Sequence, residues 1–132
     1  MNFEELIRER NEDNPYAKYL GIQTLEIEPG YARGTIKIKK EHTNVMGAVH
    51  GGLLFSLADA VAGSAAQSHG DKTVTVTSDV KFLRGAFDVD KLDVIVTELK
   101  NGRSFSFYEA KIFDEEQRLI FQGSFQYYKV KK

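Results

Sequence analysis

The sequence predicts an α+β domain in which an antiparallel sheet curls around one long, largely enclosed helix. Three features carry that expectation. The segment from Gly51 to Gln67 is rich in Ala and Leu and leaves hardly any polar face, so its helix should be covered on nearly all sides. Segments on both sides of it alternate apolar and polar residues, as in Gly34-Thr35-Ile36-Lys37-Ile38-Lys39, which is the β period. Short turn signals join those segments, and they favour antiparallel pairing.

Taken in order, Phe3, Leu6 and Ile7 stand at helical spacing with charges between them. They predict a short amphipathic helix at about residues 2–13, ending before Asn14-Pro15, where the proline disfavours further α geometry. Leu20 to Glu28 and Tyr31 to Lys39 alternate around Pro29-Gly30, which reads as a hairpin. The long helix is closed by Ser68-His69-Gly70, where glycine supplies a left-handed cap. Four strands follow: Thr73 to Leu83, Lys91 to Leu99, Ser104 to Phe113 and Leu119 to Val130. Asn101-Gly102 marks a hairpin turn between the second and third.

At 132 residues, 42% of them hydrophobic, residues 1–132 read as one domain with a core of its own and no repeat or linker. The net charge of -1, from 18 basic and 19 acidic residues, provides no field to gather nucleic acid or an anionic membrane surface. Without cysteine there is no disulfide, thiolate nucleophile or thiolate metal site. His42, His50 and His69 are too scattered for a recognisable metal site. The acidic start Met1-Asn2-Phe3-Glu4-Glu5-Leu6 does not resemble a signal peptide, and no apolar run approaches the ~20 residues that span a bilayer. The expectation is a soluble cytoplasmic protein.

Asp59 is the only charged residue in the long helix, flanked by Leu57-Ala58 and Ala60-Val61. Burying a lone carboxylate is costly. It is therefore either an acid with a function in a pocket or a solvent-facing group on a narrow stripe with Ser56, Gly63 and Ser64. At the helix start, His50-Gly51-Gly52 places two residues without side chains where N–H groups are unpaired and the dipole is positive. A carbonyl or oxyanion could approach there. The glycines equally suit close packing of the helix on its sheet, and His50 equally suits a packing role. Gly51 and Asp59 are eight positions apart, or ~12 Å along a helix. One small carbonyl carbon cannot touch both, so joint action on it requires Gly51 of one subunit and Asp59 of another in a two-fold dimer.

The run Asn44-Val45-Met46-Gly47-Ala48-Val49-His50-Gly51-Gly52-Leu53-Leu54-Phe55-Ser56-Leu57-Ala58-Asp59 resembles the signature of hot-dog-fold acyl-CoA thioesterases of the phenylacetate-degradation type. Its pattern is Asn-x-x-Gly-x-x-His-Gly-Gly followed by Ala-Asp. The resemblance extends over about Leu20 to Tyr128 and includes Phe82-Leu83-Arg84 at a strand end. It departs after Arg84, where Gly85-Ala86-Phe87-Asp88 replaces a usual proline. The resemblance implies hydrolysis of a small-molecule acyl-CoA substrate, with coenzyme A as part of the substrate and no separate cofactor. Gly51 N–H would polarise the thioester carbonyl, and Asp59 of the facing subunit would attack it or activate a water. Asn44 and His50 would shape the loop and orient the thioester or the water, with Gly52 beside them. Thr75 and Thr77 are candidates for holding that water, although both also suit a strand for their β-branching alone. Arg84 and Arg103 are candidates for the coenzyme A phosphates. The assembly implied is a homo-oligomer, a dimer with shared sites or a dimer of such dimers.

Two other readings stay open on sequence grounds. A hot-dog hydratase or dehydratase would use His50 as a base, while His42 precedes the loop and His69 ends the helix. A non-catalytic acyl-CoA-binding module would share the fold, although such a sensor would be expected to carry an effector domain.

Overall fold

The computed structural model describes residues 1–131. It opens with helix α1, Phe3–Glu12, capped by the Asn2 side chain, which accepts from Glu5 N–H. Leu6 is buried, and Phe3 and Ile7 pack against the core, as the helical spacing predicts. A second helix, α2, Pro15–Leu20, then occupies a stretch expected to be non-helical up to a strand at Leu20. The correction has a local cause. Proline is tolerated at the first helical position, where its missing N–H has no partner to lose. Asn14 caps the helix and Gly21, at φ 91°, ends it in the left-handed region.

Strands β1, Gln23–Glu28, and β2, Tyr31–Lys37, form the expected hairpin across Pro29-Gly30. The long helix α3 covers Gly51–Ala66. Strands β3, Thr73–Phe82, β4, Lys91–Asn101, β5, Phe105–Phe113, and β6, Leu119–Lys129, complete one sheet in the order β1-β2-β4-β5-β6-β3. All of its pairings are antiparallel. This is the hot-dog arrangement that the resemblance implies. The β4–β5 hairpin turns at the expected Asn101-Gly102, with β4 running on to Asn101, which pairs with Ser106, and Gly102-Arg103-Ser104 as the loop. Gly102 serves there by leaving room for the Phe105 carbonyl, which a Cβ would meet at 2.8 Å.

The core lies between α3 and the concave face of the sheet. Leu57, Ala58, Val61, Ala62 and Ala65 of α3 are fully buried, opposite Leu92, Val94 and Val96 of β4 and Ile112, Phe121 and Phe125 of β5 and β6. The helix is not enclosed all round, because Phe55, Ser56, Asp59 and Ala60 stay half-buried along one stripe. Two details of β3 matter for the site. It is the last strand of the sheet, with one edge unpaired, and it carries a bulge, since Thr75 pairs with Tyr127 and Thr77 with Gln126, leaving Val76 as the extra residue. Among the described residues, no helix is long and apolar enough to cross a membrane.

Candidate active site

The open stripe of α3 faces a cleft of about 480 Å³ bounded by α1, α2 and the start of β3. Asp59 lies in its wall. The solvent-facing stripe expected with Ser56, Gly63 and Ser64 is corrected: Gly63 and Ser64 are buried, and Asp59 and Ser56 face the cleft instead. Asp59 Oδ1 accepts from Thr75 Oγ1 at 2.7 Å and from Tyr127 OH at 2.9 Å, and the same phenol lies 2.8 Å from the Asp59 carbonyl oxygen. Burial first, and then the Asp59 charge, push the Tyr127 phenol well above its ordinary range, so it stays protonated and donates. One carboxylate oxygen is thus fixed by two hydroxyls, and the other, Oδ2, has no hydrogen-bond partner among the described residues.

Tyr127 and Thr75 should matter to turnover through this anchoring. Tyr127→Phe removes one donor to Oδ1 and should lower kcat by about tenfold, the scale of a hydrogen bond to a charged group. Thr75→Val should act in the same direction. Steady-state rates of both variants against wild type test this, and unchanged kcat in both would mean that Asp59 needs no such anchor.

The helix start is built by the preceding loop. His50 is the N-cap of α3, and its Nδ1 accepts from Gly52 N–H at 2.8 Å. Gly52 is thereby committed to the cap and offers no donor to a ligand. Gly51 N–H has no hydrogen-bond partner among the described residues. It is the free donor at the positive end of the helix. A Cβ at Gly51 would lie 3.3 Å from Phe82 Cε1, so this donor sits beside the far end of β3. Asn44 Oδ1 accepts from Met46 N–H at 2.9 Å and Ala48 N–H at 3.1 Å, both within the loop before the helix. With Nδ1 accepting, His50 carries its proton on Nε2 and presents a donor, which counts against proton abstraction by this residue.

Other expected site residues fall elsewhere. The Val76 bulge turns Thr77 to the outer face of the sheet, where it lines a separate depression of about 180 Å³ with Leu99 and Phe107. It does not join Thr75 beside Asp59. Arg84 and Arg103 are both exposed, one following Phe82 and the other preceding Phe105. In the ladder Phe82 pairs with Phe121 and that with Ile112, whereas Phe105 pairs with Tyr128. Phe105 to Ile112 spans more than about 20 Å of strand, so within one chain the two arginines cannot hold the same phosphate. Two residues missed in the sequence line the Asp59 cleft: Tyr127 and Arg10 of α1. Neither has a local sequence mark, since one is 68 residues from Asp59 and the other stands among ordinary helix charges.

Residues 46–121, which include the His50-Gly51-Gly52 helix start and Asp59, match the sequence profile of the thioesterase superfamily. The chain belongs to the thioesterase superfamily. Among similar members, the acyl-coenzyme A thioesterase PaaI of Escherichia coli is 30% identical over 83% of this chain and 78% of its own. Human acyl-coenzyme A thioesterase 13 is 26% identical over 93% of this chain and 91% of its own. The structure of the E. coli PaaI protein from the phenylacetic acid degradation operon superposes with a TM-score of 0.92 at 26% identity, covering 98% of this chain and 94% of that one. Within the superfamily this is a hot-dog thioesterase of the PaaI-like type.

Proposed function

We propose that the protein hydrolyses acyl-CoA thioesters to a free acid and coenzyme A, with Asp59 as nucleophile or general base and Gly51 N–H of a second subunit as the oxyanion donor. The observation that carries the reading is the Asp59 carboxylate, fixed through Oδ1 and free at Oδ2 in the wall of a cleft large enough for an acyl group. In the base route Oδ2 takes a proton from water while the water oxygen bonds to the carbonyl carbon. The carbonyl electrons move to oxygen, where Gly51 N–H meets them. Collapse of that adduct breaks the C–S bond, and the thiolate takes the proton back. In the nucleophilic route Oδ2 bonds to the carbon first and the C–S bond breaks to release the thiolate; water then cleaves the resulting anhydride to the free acid and the Asp59 carboxylate, and a proton from that water ends on the thiolate.

The unpaired edge of β3 supports the shared site. It exposes Val74, Val76, Phe82 and Leu83, and an exposed apolar strand edge is a template for pairing. Two copies of β3 paired antiparallel about a two-fold would set the Phe82 end of one, with its Gly51, against the Thr75 end of the other, with its Asp59. The reading carries with it a cytoplasmic location and no resident cofactor, and Arg84 or Arg103 of either subunit as a contact for the coenzyme A phosphates.

Release of free thiol from a panel of aromatic, short-chain and medium-chain acyl-CoA substrates tests the activity. Binding without turnover across the panel would replace the enzyme with a carrier. Sedimentation at micromolar concentration should show no sizeable monomer population, and a stable, fully active monomer would remove the shared site.

A further inference from the structure

The central helix contains Gly63-Ser64 in the middle of its Ala-rich run, and glycine is the poorest helix former after proline. The structure supplies a reason. The guanidinium of Arg10, delivered by α1, sits over Gly63, where a Cβ would lie 2.8 Å from Nη2. Nη2 donates to the Ala60 carbonyl at 2.7 Å and Nε to Ser64 Oγ at 2.9 Å. Ser64 Oγ is in turn 2.8 Å from Thr24 Oγ1. Gly63 and Ser64 form a socket for this one cation.

Among the described residues, Arg10 and Asp59 are the one cation and the one carboxylate in the wall of the cleft. Among the described residues Arg10 has no carboxylate within 4.0 Å. Burial pulls the guanidinium down from its ordinary value, and the negative charges of Asp59 and Glu9 oppose that pull. An apolar residue could cover the helix there without desolvating a charge. The bond to the Ala60 carbonyl instead grips the residue next to Asp59.

We infer that Arg10 is a positioning residue for Asp59: by clamping the Ala60–Ser64 turn from α1 it sets the carboxylate against Tyr127 and Thr75, which makes the N-terminal helix part of the catalytic apparatus. The inference rests on the reading of Asp59 as the reactive group, and it concerns a helix outside the matched residues 46–121.

The test uses the full chain and the best acyl-CoA substrate of the wild-type protein, comparing Arg10→Met, Arg10→Lys, Gly63→Ala and Asp59→Asn. Arg8→Met serves as a control, since Arg8 stands on the same helix but is exposed and pairs only loosely with Asp13 at 3.9 Å. Arg10→Met should melt no lower than wild type, because an apolar chain of similar length replaces a desolvated charge. Its kcat should fall by about tenfold or more while KM changes by less than about twofold, the pattern of an interaction that serves the transition state. Arg10→Lys, which keeps the charge and a donor, should recover part of kcat. Gly63→Ala should lower kcat in the same sense although alanine favours the helix, because its methyl displaces the guanidinium. Arg8→Met should change nothing. Wild-type kcat in Arg10→Met overturns the inference, as does a loss of kcat no larger than the loss of folded protein seen by circular dichroism at the assay temperature. If Arg10→Met does not fold, Gly63→Ala decides by the same criterion. A fully active Asp59→Asn would sink the underlying reading, whereas an inactive Asp59→Asn beside a fully active Arg10→Met sinks only the role of Arg10.

Discussion

Asp59→Asn should cut thiol release by about 100- to 10,000-fold, the contribution of a positioned acid–base group, and should leave the chain folded. The structure makes this substitution unusually clean. The asparagine carbonyl can occupy the place of Oδ1 and accept from both Thr75 Oγ1 and Tyr127 OH, so the anchoring survives. Only the free oxygen changes, from a carboxylate oxygen to an amide NH2 that neither attacks a thioester nor removes a proton from water. Because Asp59 is half-buried and already hydrogen-bonded, its neutralisation should shift the melting temperature by no more than a few degrees, roughly the range of mild substitutions. The measurements are a thermal melt and thiol release across the acyl-CoA panel on one preparation. A stable mutant turning over the best substrate at the wild-type rate would exclude Asp59 as base or nucleophile. Label found in the Asp59 side chain after a single turnover in ¹⁸O-labelled water would establish the nucleophilic route, since Asp59 gains water oxygen only when water attacks the aspartyl carbonyl of an acyl-Asp59 anhydride.

The parts of this site that the sequence shows and those it hides differ for a physical reason. The core of α3 and its isolated Asp59 are legible because helix propensity and a charge among apolar residues are local properties, and so are the helix start and the Pro29-Gly30 turn. Local rules also led to one error: Pro15 reads as a stop after a helix, but the same residue is a good first position for the next one once Asn14 caps it. The partners of Asp59 are set by long-range register. Thr75 and Thr77 look equivalent in a strand, and a single extra residue at Val76 sends them to opposite faces. Tyr127 looks like any inward-facing aromatic of an alternating strand until the fold brings it under α3. Arg10 reads as one of several charges on an amphipathic helix, and its trace in the sequence lies elsewhere, in the Gly63-Ser64 socket.

Gly51→Pro should lower turnover by about 100-fold or more, the scale associated with losing one oxyanion-hole donor, without removing a side chain or a charge. Proline suits the first turn of a helix. His50, at φ -62° and ψ 137°, already holds the extended conformation that a residue before proline prefers. The one crowded neighbour is the Phe82 ring, 3.3 Å from a Cβ at this position, and Phe82 is exposed enough to move. The intended effect is loss of the single free N–H at the helix start, since Gly52 N–H is held by His50. Unchanged turnover in a folded Gly51→Pro protein would move the carbonyl site elsewhere. The sharper measurement mixes this variant with Asp59→Asn. In a two-fold dimer with composite sites, each mixed pair has one site with both groups intact and one with neither. Equal amounts after full subunit exchange should therefore recover about one quarter of wild-type activity from two nearly inactive parents. Were Gly51 and Asp59 of the same chain to act together, every site in the mixture would lack one of them, and activity would stay at the level of the parents.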